Sequence, residues 1–225
     1  MSQHFLHIPG LLKPKELARI EELTADAEFV DGKLTASGPA RKVKRNKQID
    51  TTSPALAEIR AILNAARRTS PLFSIAALPR TVYPFVVSRY AQGDAYGWHL
   101  DNPLMGEPPI RTDLAMTVFL SDPASYRGGE LVIQDGANQV AFKPAKGDAV
   151  LYLCQYLHCV NPVSQGTRLA AVTWIQSEVK SAEQRALLLQ LNQVHGMLSQ
   201  RSPGAAAVQL LLQAHSNLYR MWAEL

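Results

Sequence analysis

The sequence predicts a mainly β domain with helical flanks, and three observations lead to that fold class. Residues 78–177 contain short runs rich in β-branched and aromatic side chains, and turn residues separate the runs. Both ends of the chain instead carry apolar residues at helical spacing. Strands and helices do not alternate in the central part, which argues against a parallel α/β fold. We therefore divide the chain into an N-terminal helical or mixed support region at 1–77, a β domain at 78–177 and a C-terminal helical hairpin at 178–225.

The support region is predicted to contain two helices that pack on the β domain. The first runs from Pro14 to Ala27 and has three apolar residues at helical spacing, Leu17, Ile20 and Leu23. Ser53-Pro54 predicts the start of the second, because serine can cap a helix and proline fits its first turn. The buried face of that helix would carry Leu56, Ile59, Ile62 and Leu63.

The β domain is predicted from five runs with turn residues between them: Tyr83–Tyr90, Leu114–Leu120, Glu130–Gln134, Ala149–Leu153 and Arg168–Gln176. Short strands at regular spacing, divided by turns such as Asp122-Pro123 and Asp135-Gly136, are typical of an antiparallel sandwich or barrel.

The last section of the chain predicts two helices. Ser181 and Gln184 form a capping box before the first of them, and Ser202-Pro203 indicates the start of the second. Such a hairpin packs either on the β domain or on a second subunit. In the second arrangement the protein would be a homo-oligomer held together by its C-terminal helices.

Composition narrows the class of protein. A hydrophobic share of 47% with 19% charged residues is ordinary for a globular protein. No apolar stretch approaches the roughly 20 residues that cross a bilayer, and the N-terminus makes a poor signal peptide. The two cysteines, Cys154 and Cys159, match no zinc or thioredoxin-like motif. We expect a cytoplasmic protein that does not associate with membranes.

The charge is mildly basic, with 23 basic and 19 acidic residues and a formal net charge of +4. That excess is too small to indicate a nucleic-acid partner. One segment nevertheless concentrates five positive charges in seven residues, Arg41, Lys42, Lys44, Arg45 and Lys47. It is either a solvated loop or strand edge, or a rim that attracts an acidic substrate.

Three residues have the side chains of a metal site. His99 and Asp101 stand at i and i+2, which on a strand point to the same face. His158 follows 57 residues after Asp101, and strands distant in sequence can be neighbours in an antiparallel barrel. Two histidines and one carboxylate make the facial triad of non-haem iron(II) oxygenases. Such an iron keeps three positions open, which suit a bidentate 2-oxo acid and dioxygen.

Zinc is the alternative metal, because two histidines and a carboxylate also form catalytic zinc sites. The usual zinc hydrolase motif His-Glu-x-x-His is missing from the sequence. Arg168 favours iron, since its guanidinium, ten residues after His158, can pair with the far carboxylate of 2-oxoglutarate. A surface ion pair is the other interpretation of this arginine.

Two stretches carry a family resemblance. Residues 90–103, YAQGDAYGWHLDNP, resemble the metal-binding segment of prolyl 4-hydroxylase-type oxygenases. Residues 147–152 (GDAVLY), 157–163 (LHCVNPV) and 166–168 (GTR) resemble the second half of the same family. With its helical flanks and its length, the whole chain is most similar to the bacterial PKHD-type hydroxylases.

The resemblance implies a double-stranded β-helix, or jelly roll, as the core. It implies iron(II) bound by His99, Asp101 and His158, and 2-oxoglutarate anchored by Arg168 with a hydrogen bond from Tyr90. Ala170 stands where many members of the wider superfamily have a serine, so one hydroxyl donor is missing. The family also implies L-ascorbate, which returns oxidised iron to iron(II).

The predicted reaction is the hydroxylation of a C–H bond coupled to oxidative decarboxylation of 2-oxoglutarate, with succinate and carbon dioxide as products. The resemblance suggests a peptidyl proline as substrate, although the residues around the iron do not identify it. Two alternatives stay open: an oxidative demethylase of alkylated nucleic acid, suggested by the basic segment, and a non-catalytic module that binds a metal or an oxo acid.

Overall fold

The computed structural model describes residues 5–36 and 38–224, and in these ranges antiparallel sheets dominate. The larger sheet has eight strands: β1 (Phe5–Ile8), β2 (Phe29–Asp31), β4 (Lys47–Ile49), β5 (Pro79–Val82), β6 (Val86–Tyr90), β10 (Leu114–Phe119), β14 (Ala149–Leu153) and β17 (Arg168–Ser177). The smaller has five: β3 (Lys44–Arg45), β7 (Ala95–His99), β12 (Leu131–Asp135), β13 (Asn138–Phe142) and β15 (His158–Val160). Two strand pairs complete the β structure: β8 (Leu104–Met105) with β9 (Ile110–Arg111), and β11 (Tyr126–Gly128) with β16 (Val163–Gly166).

The helices lie before and after most of these strands. They are α1 (Pro14–Ala25), α2 (Gly38–Lys42), α3 (Pro54–Arg68), α4 (Pro71–Ala77), α5 (Ala182–Arg201) and α6 (Ala206–Trp222). Among the described residues, no helix is both long enough and apolar enough to cross a membrane.

The strand order of the larger sheet is β1-β14-β10-β17-β6-β4-β2, with β5 also paired to β17. The smaller sheet has the order β13-β12-β15-β7-β3. Neighbours in both orders are mostly distant in sequence, which is the crossing pattern expected of a jelly roll. The expected fold, a jelly roll with helical flanks, is thus confirmed.

Alternation along β17 separates a helix-facing core from a cavity. Ala171 and Ile175 are fully buried in a cluster with apolar residues of α3 and α4. The residues at even positions of the strand, from Arg168 to Trp174, point to the other face, because strand side chains alternate. Three of these four, Arg168, Val172 and Trp174, line the cavity between the two sheets.

The predicted elements of the sequence recur with small shifts. All five β runs contain a strand, and helices begin at Pro14 and Pro54 as expected. Ser181 caps α5 by accepting a hydrogen bond from the Gln184 amide at 3.1 Å. The second C-terminal helix begins at Ala206, however, and not directly after Ser202-Pro203, because a turn with Gly204 at a φ of 84° comes first.

The N-terminal residues also contribute strands that were not predicted. β1, β2 and β4 all join the larger sheet, although each has only three or four residues. Segments so short give hardly any alternation in a sequence. The boundaries at 77/78 and 177/178 remain predictions.

The C-terminal hairpin packs against the end of β17. Glu178 accepts a hydrogen bond from the Tyr219 hydroxyl, and Val179 pairs with Ala223 in a β-bridge. The buried Arg185 guanidinium donates to the Val179 carbonyl at 2.7 Å. The hairpin also exposes large apolar side chains, among them Leu187, Val194, Met197, Leu210, Leu212 and Met221.

Candidate active site

His99, Asp101 and His158 meet on the inner face of the smaller sheet. His99 is the last residue of β7 and His158 the first of β15, and the two are cross-strand partners. One ligand atom from each of the three residues lies within 4.8 Å of the others. Asp101 lies just beyond β7, so it reaches the histidines from an extended segment after the strand and not from the strand itself. The structure thus brings the three side chains together, although Asp101 does not share a strand with His99 as the i and i+2 argument assumed.

The hydrogen bonds of the two imidazoles determine which ring nitrogens are free. Nδ1 of His99 lies 2.8 Å from the Gly97 carbonyl oxygen, and Nδ1 of His158 lies 3.0 Å from that of Tyr156. Because a carbonyl only accepts, each Nδ1 carries the proton and each Nε2 keeps its lone pair. Backbone carbonyls thus hold both rings in the tautomer that ligates a metal through Nε2.

The environment of the three side chains suits a cation. His99 and His158 are 8% and 4% exposed, and their ring centroids lie 4.3 Å apart. Burial first, and the neighbouring His158 second, lower the pKa of His99 to about 3, so its ring is neutral. Oδ2 of Asp101 is buried and has no hydrogen-bond partner among the described residues. A buried carboxylate oxygen without a donor, beside two free imidazole lone pairs, fits a divalent metal ion.

Arg168 and Tyr90 are neighbours on two adjacent strands of the larger sheet. They are cross-strand partners at the start of β17 and the end of β6. The Arg168 guanidinium lies 5.1 Å from the Tyr90 ring centroid and 5.4 Å from that of Phe119, and the residue is only 1% exposed. Its Nε has no hydrogen-bond partner within the described ranges. A buried guanidinium with a free donor can bind the carboxylate of a small acid.

A single cavity joins these groups. It encloses about 770 Å³ of empty space including its mouth, and all five residues predicted from the sequence line it. Tyr96 and Tyr152 flank the histidines: the Tyr96 ring stacks on His99 at 3.6 Å, and Tyr152 meets His158 edge-on at 5.2 Å. Trp174 also lines the cavity, and its buried Nε1 has no partner in the part of the chain described.

The basic segment does two different things. Arg41, Lys42, Arg45 and Lys47 are exposed, as expected of a solvated strand edge. Lys44 instead is buried and lines the cavity, together with Thr35 and Gln48. Sequence reasoning missed these last two residues, because isolated polar residues in a short 3-10 turn (Thr35) and on a three-residue strand (Gln48) form no recognisable motif.

Comparison with known proteins gives the family. The model of the family described as "2OG-Fe(II) oxygenase superfamily" matches residues 85–176 of this chain. The PKHD-type hydroxylase YbiX of Escherichia fergusonii is 42% identical over 223 residues, which cover 97% of this chain and 99% of the relative. The same-named protein of Escherichia coli strain 55989 is 41% identical over equal shares.

Solved structures agree in fold. A prolyl hydroxylase from Trichoplax adhaerens, in complex with a hypoxia inducible factor peptide fragment, superposes with a TM-score of 0.55. It is 18% identical, and the match covers 83% of this chain and 87% of that one. A 2OG-Fe(II) oxygenase family protein from Burkholderia pseudomallei gives 0.54 at 18% identity, over 76% and 83% of the two chains. By sequence, this chain belongs to the PKHD-type hydroxylase family within the 2OG-Fe(II) oxygenases, and it is a 2-oxoglutarate-dependent dioxygenase.

Proposed function

We propose that His99, Asp101 and His158 bind iron(II), that Arg168 and Tyr90 bind 2-oxoglutarate, and that the enzyme hydroxylates a C–H bond of a substrate in the same cavity. The observation that carries the proposal is the convergence of three buried ligand atoms within 4.8 Å, with the Asp101 Oδ2 unpaired. When bound, the metal would supply the oxygen-activating chemistry that couples decarboxylation of the oxo acid to hydroxylation.

The protein positions the metal ligands and the oxo acid, and it excludes water from the cavity. The backbone carbonyls of Gly97 and Tyr156 fix the two imidazoles, so their Nε2 atoms need no reorientation when a metal binds. Arg168 meets the far carboxylate of the oxo acid, and the Tyr90 hydroxyl donates to it. Burial raises the pKa of Tyr90, so its proton is retained and available for that hydrogen bond.

A peptidyl proline is our candidate for the primary substrate. The structural likeness to a prolyl hydroxylase solved with a peptide fragment supports this choice. The family resemblance supports L-ascorbate as the reductant that restores iron(II). Two buried cysteines without a disulfide support a reducing compartment, the cytoplasm. The exposed apolar side chains of α5 and α6 support self-association through the hairpin.

Arg168→Ala is the direct test of the oxo-acid site. Iron(II)-loaded protein is titrated anaerobically with 2-oxoglutarate in a calorimeter, and succinate release is then followed in air. We expect the variant to lose roughly 2–5 kcal/mol of binding free energy, since a buried charge pair loses one partner. The exposed Arg127 serves as control, and Arg127→Ala should bind as wild type does. An unchanged affinity of Arg168→Ala would remove Arg168 from this role, and wild type without succinate release would refute the reaction.

A further inference from the structure

The cavity contains a second buried cation besides Arg168. Lys44, on β3, is 6% exposed and lines the cavity with its side chain. Its Nζ donates a hydrogen bond to the Thr35 hydroxyl at 3.0 Å and lies 5.1 Å from the Tyr96 ring centroid. The Tyr96 ring also stacks on His99, so it connects the ammonium to the candidate metal ligands.

The charge of Lys44 is not balanced by a paired carboxylate in the part of the chain that the structure describes. Across residues 5–36 and 38–224, no carboxylate forms an ion pair with it. Burial lowers the pKa of Lys44 to about 8, and the charges of Asp101 and Asp31 oppose that shift only in part. Burying an ammonium without a paired anion costs free energy, so a role that needs the charge is a better explanation than packing.

The position of the ammonium is fixed by a chain of hydrogen bonds. The Thr35 hydroxyl donates to Gln48 Oε1 at 2.6 Å, and Gln48 Nε2 donates to the Ser88 hydroxyl at 3.2 Å. Thr35 therefore presents a lone pair to Lys44. Among the described residues no second acceptor forms a hydrogen bond with the ammonium, which leaves two N–H groups for a ligand. A preorganised donor of this kind loses little entropy on binding.

The surroundings of Lys44 in the cavity indicate the rest of the ligand. Apolar side chains make up much of the remaining wall, among them Val86, Leu100, Met105 and Val172. Arg168 lies at the start of β17, and under the proposed function its guanidinium is occupied by the oxo acid. A ligand for Lys44 is therefore a different molecule, with an apolar body and an anionic group.

We propose that Lys44 binds a carboxylate of the primary substrate, so that the enzyme acts on carboxylate-bearing molecules with an apolar portion. This inference rests on the proposed function, because it assigns Arg168 to 2-oxoglutarate. The ion pair formed by substrate and Lys44 fixes one end of the substrate and leaves its apolar part towards the metal ligands.

The test uses a matched pair of probes, 4-phenylbutyrate and the neutral isostere 4-phenylbutyramide. Each is titrated calorimetrically into anaerobic iron(II) protein saturated with 2-oxoglutarate, so that Arg168 is not available to the probe. We expect wild type to bind the acid at least about tenfold more tightly than the amide, and Lys44→Met to lose this preference. The control Lys47→Met removes an exposed charge of the same segment and should keep the preference.

Other outcomes overturn the proposal. The proposal is wrong if wild type binds the acid and the amide equally, or binds neither. It is also wrong if Lys44→Met, with its fold verified by circular dichroism, keeps an undiminished preference for the acid. A large loss of 2-oxoglutarate affinity in Lys44→Met would assign the ammonium to the oxo acid instead. Failure of the proposed function is visible separately, as wild type that does not bind 2-oxoglutarate at all.

Discussion

The two cations of the cavity lie on walls of different construction. Arg168 belongs to the ten-residue strand β17 in the middle of the larger sheet, and its guanidinium lies close to two aromatic rings. Lys44 belongs to a two-residue strand at the edge of the smaller sheet, and its ammonium donates a hydrogen bond to the Thr35 hydroxyl. The central wall is hydrogen-bonded to strands on both sides of β17, which suits the binding of an unchanging co-substrate. The edge wall contains few residues and can vary with the substrate without disturbing the sheet.

Asp101 is one of the three candidate metal ligands that line the same cavity, and its substitution should have the largest effect. We expect Asp101→Ala to abolish succinate release and to weaken iron(II) binding by more than about 100-fold, since a direct ligand matters more than the outer-shell groups that tune affinity. Metal content after dialysis and anaerobic titration with iron(II) measure the change. The exposed Asp26 is the control, and Asp26→Ala should keep its metal. Full metal binding by Asp101→Ala would contradict the triad.

Lys44→Met should stabilise the fold although it impairs substrate binding. The pKa of Lys44 falls from 10.5 to about 8 on folding, so protonation of Lys44 is less favourable in the folded state than in the unfolded chain. Below pH 8 the variant should therefore gain at most about 3 kcal/mol in free energy of unfolding. The gain should shrink as pH rises from 8 towards 10.5. Urea unfolding on both sides of this window measures it, and a gain independent of pH would mean that Lys44 is not titrating there.

Tyr90→Phe should have the smallest effect. The substitution removes one hydroxyl at the central wall and leaves the ring beside Arg168. We expect 2-oxoglutarate affinity to fall by about 1 kcal/mol, the usual value of one hydrogen bond. Calorimetric titration measures the loss, with the exposed hydroxyl-bearing Thr81→Val as control. An unchanged affinity would leave Arg168 as the sole anchor of the far carboxylate.

Much of the central wall could be predicted from the sequence. The runs that became β10, β14 and β17 are long and apolar, so their strand type was evident. Arg168 was expected at the start of a strand, and it occupies the first position of β17.

His158 was expected to approach His99 from a distant strand, and the register of β15 with β7 makes them partners.

The edge wall could not be predicted, for a physical reason. From Val43 to Gln48 the side chains alternate between exposed and buried, yet nearly all of them are polar, so hydrophobicity gives no period. Whether Lys44 or Arg45 points inward depends on the pairing of Lys44 with Tyr96, which is a long-range contact. The cost of burying the amine also becomes visible only with the cavity around it.

The topology of the two main sheets has a consequence for biosynthesis. β1 pairs with β14, which the ribosome delivers more than a hundred residues later. His99 pairs with His158, which follows more than fifty residues later. A nascent chain stalled before His158 would contain the first two candidate ligands and the Lys44 wall but no cavity. The three candidate ligands can therefore meet only after most of the chain has been synthesised.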